Sequence, residues 1–205
     1  MPAGESPLEE LAGFLPPGTY ERVADHIIRH RVHLTVKRAR ASVLGDYRHS
    51  GPGRNHRISV NGNLNPYAFL ITLLHELAHL FTFERYGNRV APHGREWKSV
   101  YAAILADFIS QGVFPEDIRQ ALSRTLENPA ASTCADDSLM RVLRRYDTGD
   151  AGTRLVEDLQ PGERFRIRGG RVFVRGDRVR KRIRCTEEAT GRIYLFSPIY
   201  EVSVV

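Results

Sequence analysis

Ile71-Thr72-Leu73-Leu74-His75-Glu76-Leu77-Ala78-His79-Leu80-Phe81 sets two histidines and a glutamate inside an apolar run long enough to be a buried helix. At about 100° per residue, His75 and His79 fall one turn apart on one face and can aim imidazole nitrogens at the same ion. Glu76 follows the first of them. A carboxylate in that position need not bind the metal and is placed to take a proton from water that the metal has acidified. The spacing H-E-x-x-H therefore predicts a catalytic zinc site suited to peptide-bond hydrolysis. A metal-free buried helix would instead have to satisfy two imidazoles and a carboxyl internally, at about 1–3 kcal/mol for each group left unpaired.

Catalytic zinc keeps three protein ligands and one open position, so two imidazoles are not enough. A metzincin continuation is absent, because Thr82 and Arg85 stand where a glycine and a histidine would be required. His93, in Pro92-His93-Gly94-Arg95-Glu96-Trp97, is the best-placed third ligand, with Glu96 and Asp107 as carboxylate rivals. The punctuation Tyr86-Gly87-Asn88 and Ala91-Pro92 ends the first helix, and a second helical pattern begins near Gly94, so His93 enters from the start of the next helix. The remaining histidines, His26, His30, His33, His49 and His56, lack metal-ligand spacing and are given no role.

His75-Glu76-Leu77-Ala78-His79-Leu80, followed by His93-Gly94-x-x-Trp97, resembles the SprT-like metalloproteases, the group that includes the Spartan DNA–protein crosslink proteases. Val32 to Val36, the Leu44-Gly45-Asp46-Tyr47 turn and Arg57-Ile58-Ser59-Val60-Asn61 resemble the strand pair before the zinc helix of that family, so that the likeness covers about residues 20–110. It implies His75, His79 and His93 as zinc ligands, Glu76 as catalytic acid/base, one catalytic Zn2+, and a substrate protein crosslinked to or bound on DNA. Trp97 matches a bulky aromatic position of the family motif and is also read as a core anchor one turn after His93. Many members carry a four-cysteine zinc ribbon, which cannot form here because the chain holds only Cys134 and Cys185. The low cysteine usage argues against a disulfide framework and fits a reducing cytoplasm.

At 205 residues and 41% hydrophobic, the chain can bury a core as one domain or two. Met1 to Glu10 has neither the basic start nor the apolar centre of a signal peptide, and no run approaches the roughly 18 apolar residues of a membrane span. Glu127 to Thr133 reads as the beginning of a linker. The expectation is thus an α+β chain: a mainly helical, zincin-like catalytic domain with a small strand pair over 1–126, a linker over 127–136, and a small antiparallel β-rich domain over 137–205. Helices are expected over Leu8 to Leu15, Tyr20 to His30, Glu116 to Leu126 and Asp137 to Tyr146. Strands are expected over 165–168, 171–174, 179–185, 192–196 and 200–204, with turns at Gly169-Gly170, Gly176-Asp177 and Thr190-Gly191.

Thirty Lys and Arg against 24 Asp and Glu give a net charge of +6 and a sequence pI of about 9.6. The excess is concentrated: Arg164 to Arg184 carries ten basic residues against Asp177, a local net of +9. Such crowding is relieved by an anionic partner, and arginine binds phosphate bidentately. Nucleic acid is therefore the expected partner, with Arg175, Arg178, Arg180, Lys181, Arg182 and Arg184 as its contacts; a solvated face that keeps the protein soluble is the alternative. Phe165, Phe173, Tyr194 and Phe196 interleave with these cations as the apolar side of a small sheet or as stacking platforms for bases. Two other functional readings remain: a non-catalytic nucleic-acid-binding protein with a structural zinc, and a general zinc peptidase without a nucleic-acid link.

Overall fold

The protein is described by a computed structural model covering residues 7–40, 43–49, 51, 55–127, 136–148 and 152–205. It has an α+β fold divided into two compact units, Met1–Asp147 and Thr148–Val205. Helix α5 (Asp137–Arg144) lies in the first of these. The expected boundary before residue 137 is therefore moved to after Asp147, because Leu139 and Leu143 are buried in the same core as the helix that carries His75 and His79. The expected linker over 127–136 lies, apart from its two end residues, outside the described residues.

The first unit is organised around α2 (Pro66–Tyr86), a 21-residue helix buried nearly all round. Its start is well specified. Pro66 occupies the first turn, where its missing N–H costs nothing, and the Asn65 side chain accepts a hydrogen bond from Ala68 N at 3.0 Å. Gly87, with φ +62°, ends it. α1 (Tyr20–Arg29), α3 (Arg95–Ser110) and α4 (Glu116–Glu127) supply Val23, Ile27, Trp97, Leu105, Phe108, Ile118 and Leu122 to the common core. Leu8–Phe14, expected as α-helical, is a 3-10 helix. Pinned between Pro7 and Pro16-Pro17, it is too short to offset the cost of α-helix nucleation.

The expected strand pair is a three-stranded mixed sheet, β1 (Val32–Lys37), β2 (Gly45–Arg48) and β3 (His56–Asn61), in the order β1-β3-β2. β3 pairs parallel to β1 and antiparallel to β2. The Leu44 to Tyr47 segment is thus largely an edge strand rather than a turn. A four-residue strand containing Gly45 and Asp46 has little β-propensity of its own, and its pairing with β3 is what fixes it. Alternation sends Ile58 and Val60 into the core, while Arg57 and Ser59 face away.

The second unit is a six-stranded sheet in the order β4-β9-β5-β6-β7-β8. Its strands are β4 (Thr153–Leu155), β5 (Arg164–Arg166), β6 (Val172–Val179), β7 (Arg182–Glu187), β8 (Ile193–Phe196) and β9 (Glu201–Val204). β4 was not foreseen. Gly176-Asp177 is not a turn: the register shifts between Arg175 and Arg178, so these residues form a bulge inside β6. A Cβ at Gly176 would stand 2.8 Å from Arg184 O, so the close strand approach requires glycine. The chain turns later, at Arg180-Lys181, where Arg180 takes φ +55°. Phe165 and Phe173 are fully buried, and Tyr194 and Phe196 pack against them, so these aromatics form the apolar side of the sheet rather than an exposed stacking platform. No helix among the described residues is long and apolar enough to cross a membrane.

Candidate metal centre

Helical spacing on α2 places His75 and His79 one turn apart, with ring centroids 5.0 Å from each other. His93 arrives from the Pro92-His93-Gly94 turn just before α3, in the left-handed backbone region at φ +58°. For a residue with a Cβ this conformation is costly, and it is retained here where it turns the ring toward α2. The His93 Nε2 lies 2.9 Å from His79 Nε2 and 3.2 Å from His75 Nε2. Among the described residues, these three form the one group of potential metal-ligating side chains whose ligand atoms all lie within 4.8 Å of each other. Tetrahedral coordination at about 2.0–2.1 Å would hold such nitrogens roughly 3.3 Å apart, so the donor set fits a small divalent cation. Of the rival ligands, Asp107 is paired with Arg22 of α1, and Glu96 does not join the cluster.

Trp97 is the floor of this arrangement. It is fully buried on α3, with its rings 4.7 Å from His75, 4.7 Å from His93 and 5.2 Å from His79, and it stacks on Tyr101. This aromatic surface shields the imidazoles on one side, while all three line the cleft on the other. Burial pushes His75 down to about 3, with His79 and His93 adding to the effect, and His79 down to about 4, again with a contribution from His93. His93 is lowered by burial as well. All three are therefore neutral near pH 7 and offer a nitrogen lone pair.

Glu76 is 6% exposed and lies at the edge of the same cleft of about 600 Å³. Burial raises its carboxyl to about 8, with Asp46 adding repulsion; Arg40 and a hydrogen bond from the Tyr47 backbone oppose the rise. Those opposing groups belong to β2 and the segment before it, which lie over the helix at this point. Gly45 is the closest: a Cβ there would stand 2.6 Å from Glu76 Oε1 and 2.8 Å from Thr72 Cγ2. Gly45 and Tyr47 are thus positioning residues that the sequence reading missed. The signal was present in the glycine, since an isolated glycine in a strand marks a close approach. Tyr47 also donates to or accepts from His56 Nδ1 at 3.0 Å, and its ring is parallel to that of His79. Leu44, Phe83, Val90 and Pro92 make the rest of the cleft largely apolar.

The basic residues singled out in the second unit fall mainly on the β6–β7 hairpin. Arg178, Arg180, Lys181, Arg182 and Arg184 are exposed, whereas Arg175 is partly buried and donates from Nη1 to Gly176 O at 2.9 Å. The fold also brings acids to the cluster that linear counting left out. Glu188 pairs with Arg164 at 2.8 Å and Glu187 with Arg171 at 2.5 Å, while Asp177, already within the counted stretch, lies 3.5 Å from Arg184.

Residues 19–118, which include α2 and the His93 turn, match the profile of the SprT-like family. The protein named "Protein SprT" from Vibrio parahaemolyticus serotype O3:K6 (strain RIMD 2210633) is 51% identical over 41 residues, which cover 20% of this chain and 24% of that relative. The chain thus aligns with about a quarter of that curated relative. No solved structure matches the chain. The matched stretch holds the three converging histidines and Glu76, and this domain of the chain is SprT-like.

Proposed function

We propose that the protein is a zinc-dependent endopeptidase acting on proteins crosslinked to or bound on DNA. One observation carries the hydrolytic reading: three neutral imidazole nitrogens converge in a cleft whose edge holds a buried carboxyl, Glu76, immediately after the first histidine. His75, His79 and His93 would hold the zinc, and a three-histidine set leaves a position open for chemistry. Zinc bound there supplies Lewis acidity, polarising the scissile carbonyl and lowering the pKa of water. Glu76, through its carboxylate oxygens, takes the proton from water and passes it to the leaving amine. Burial raises the carboxyl of the metal-free site, and a dication held beside it would favour the ionised form that accepts the proton, leaving a stronger base than an exposed glutamate and a usable acid in the return step. The Tyr47 backbone N–H and Gly45 hold the carboxylate in place, and Trp97 shields the imidazoles on one side.

The link to DNA draws on the family resemblance and on the exposed cations Arg178, Arg180, Lys181, Arg182 and Arg184, with Arg175 at their base. These would contact phosphates and bring the catalytic unit to proteins on nucleic acid. Cleavage of casein and of DNA-bound histone by zinc-loaded protein tests both parts. The expected result is cleavage that a chelator abolishes and zinc restores, with DNA accelerating histone cleavage. Cleavage indifferent to chelation would contradict the metal chemistry, and indifference to DNA would leave a general peptidase.

A further inference from the structure

The three-stranded sheet of the first unit has a second groove, also about 600 Å³, on the face its alternation turns away from α2. Four cations line it, Lys37, Arg40, Arg48 and Arg57, together with His33 and a single carboxylate, Asp46. The register explains why this is an unusual face. Arg48 of β2 is directly opposite Arg57 of β3. Like charges facing each other across paired strands destabilise a sheet unless an anion sits between them. Asp46 answers one of them, through an exposed contact of 2.7 Å to Arg48. Arg40 is fixed from below by Asn61 Oδ1 at 2.8 Å and Ser59 Oγ at 3.0 Å. Lys37 and Arg57 are exposed and pair with no carboxylate among the described residues.

We propose that this groove binds the phosphate backbone of a nucleic-acid strand. Several guanidinium forks along an open trough suit a polyanion better than one small anion. An acidic peptide fits less well. Both ladders of the central β3 are used, so the floor of the groove around Arg57 and Ser59 offers side chains and no free backbone groups, and a peptide could add as a strand only at the outer edges of β1 or β2. Ile58, the aliphatic residue of the lining, is 1% exposed and gives a peptide no apolar foothold. Asp46 borders both this groove and the metal cleft, so a strand held here would lie next to the site of hydrolysis. The proposal extends the nucleic-acid link above to the unit that holds the histidines, and it depends neither on catalysis nor on the basic hairpin.

Fluorescence anisotropy of labelled single-stranded and duplex oligonucleotides, titrated with salt on the full chain, tests it without any turnover. Lys37→Ala/Arg57→Ala should weaken binding and make the slope of log K against log salt shallower by about 0.7 per lost single-strand contact or 0.9 per lost duplex contact. Arg57→Lys should retain most of the slope, because a point charge still meets the phosphate. Zinc content reports whether the variants are folded. Should the double variant lose zinc, Thr35→Glu, which sets a carboxylate among the same cations, replaces it with the same expected loss. Unchanged affinity and slope in a zinc-loaded variant would overturn the proposal, even where charge reversal of Arg178, Arg180, Lys181 and Arg182 abolishes binding. Polyglutamate binding the full chain more tightly than an oligonucleotide of equal charge, with that preference lost in Lys37→Ala/Arg57→Ala, would overturn it in favour of an acidic protein partner.

Discussion

His93 is the residue that turns two helix-borne imidazoles into a three-nitrogen site, and its backbone stays in the left-handed region to do so. His93→Ala should therefore lose most of the bound zinc, read by mass spectrometry of purified protein. Full occupancy would remove His93 from the site and return attention to Glu96. Gly45 is the second decisive residue. In Gly45→Ala the added methyl meets Glu76 Oε1 and Thr72 Cγ2 well inside van der Waals distance, so β2 or the carboxylate must shift. Zinc content should stay near wild type while cleavage falls by about tenfold or more, since small misplacements of a catalytic group are costly. Wild-type cleavage in that variant would show that the approach of β2 to Glu76 does not matter. His75, Glu76 and His79 were legible because one helical period carries them. Gly45, Tyr47 and Arg40 were not, because their relation to Glu76 depends on a strand some thirty residues upstream folding over the helix.

Among elements, α2 is held at its start by one side chain with several duties. Asn65 caps Ala68 through its oxygen, and its nitrogen donates to Leu143 O at 2.9 Å and to Asp147 Oδ1 at 2.7 Å, fastening the end of α5 to the start of the histidine helix. Asn65→Ala would remove the cap and leave the buried Leu143 carbonyl without that donor. The expected loss is about 1–2 kcal/mol in denaturant unfolding, chiefly from the cap, since Leu143 O still accepts from the Tyr146 N–H at 3.0 Å. A loss below about 0.5 kcal/mol, the level of an ordinary surface change, would contradict this. The helices were legible from apolar spacing and proline or glycine punctuation. The strands of the second unit were legible where alternation was regular, as in Arg182–Glu187, whose exposed and buried positions alternate throughout. Gly176 misled the reading because glycine marks turns and bulges alike, and only the pairing partner Arg184 distinguishes them.

At the scale of the whole molecule, the two units have separate cores, Leu11 to Leu143 in one and Val156 to Val202 in the other. A ligand that binds only the folded state stabilises it by mass action, by about 4 kcal/mol at a thousandfold excess over Kd. Chelation should accordingly lower the unfolding temperature of the unit with the histidines and leave that of the sheet unit unchanged in calorimetry. An equal shift of both would contradict independent cores. The position of this division was not legible, because α5 follows a polar stretch that reads as a linker while its Leu139 and Leu143 belong to the earlier core. The central claim is that three histidines hold zinc while Glu76 moves the proton. Zinc content and casein cleavage measured together on Glu76→Gln test it most directly. About one zinc per chain is expected, with cleavage reduced by at least about 10²-fold, as loss of a general base requires. Undiminished cleavage by the zinc-loaded variant would contradict it.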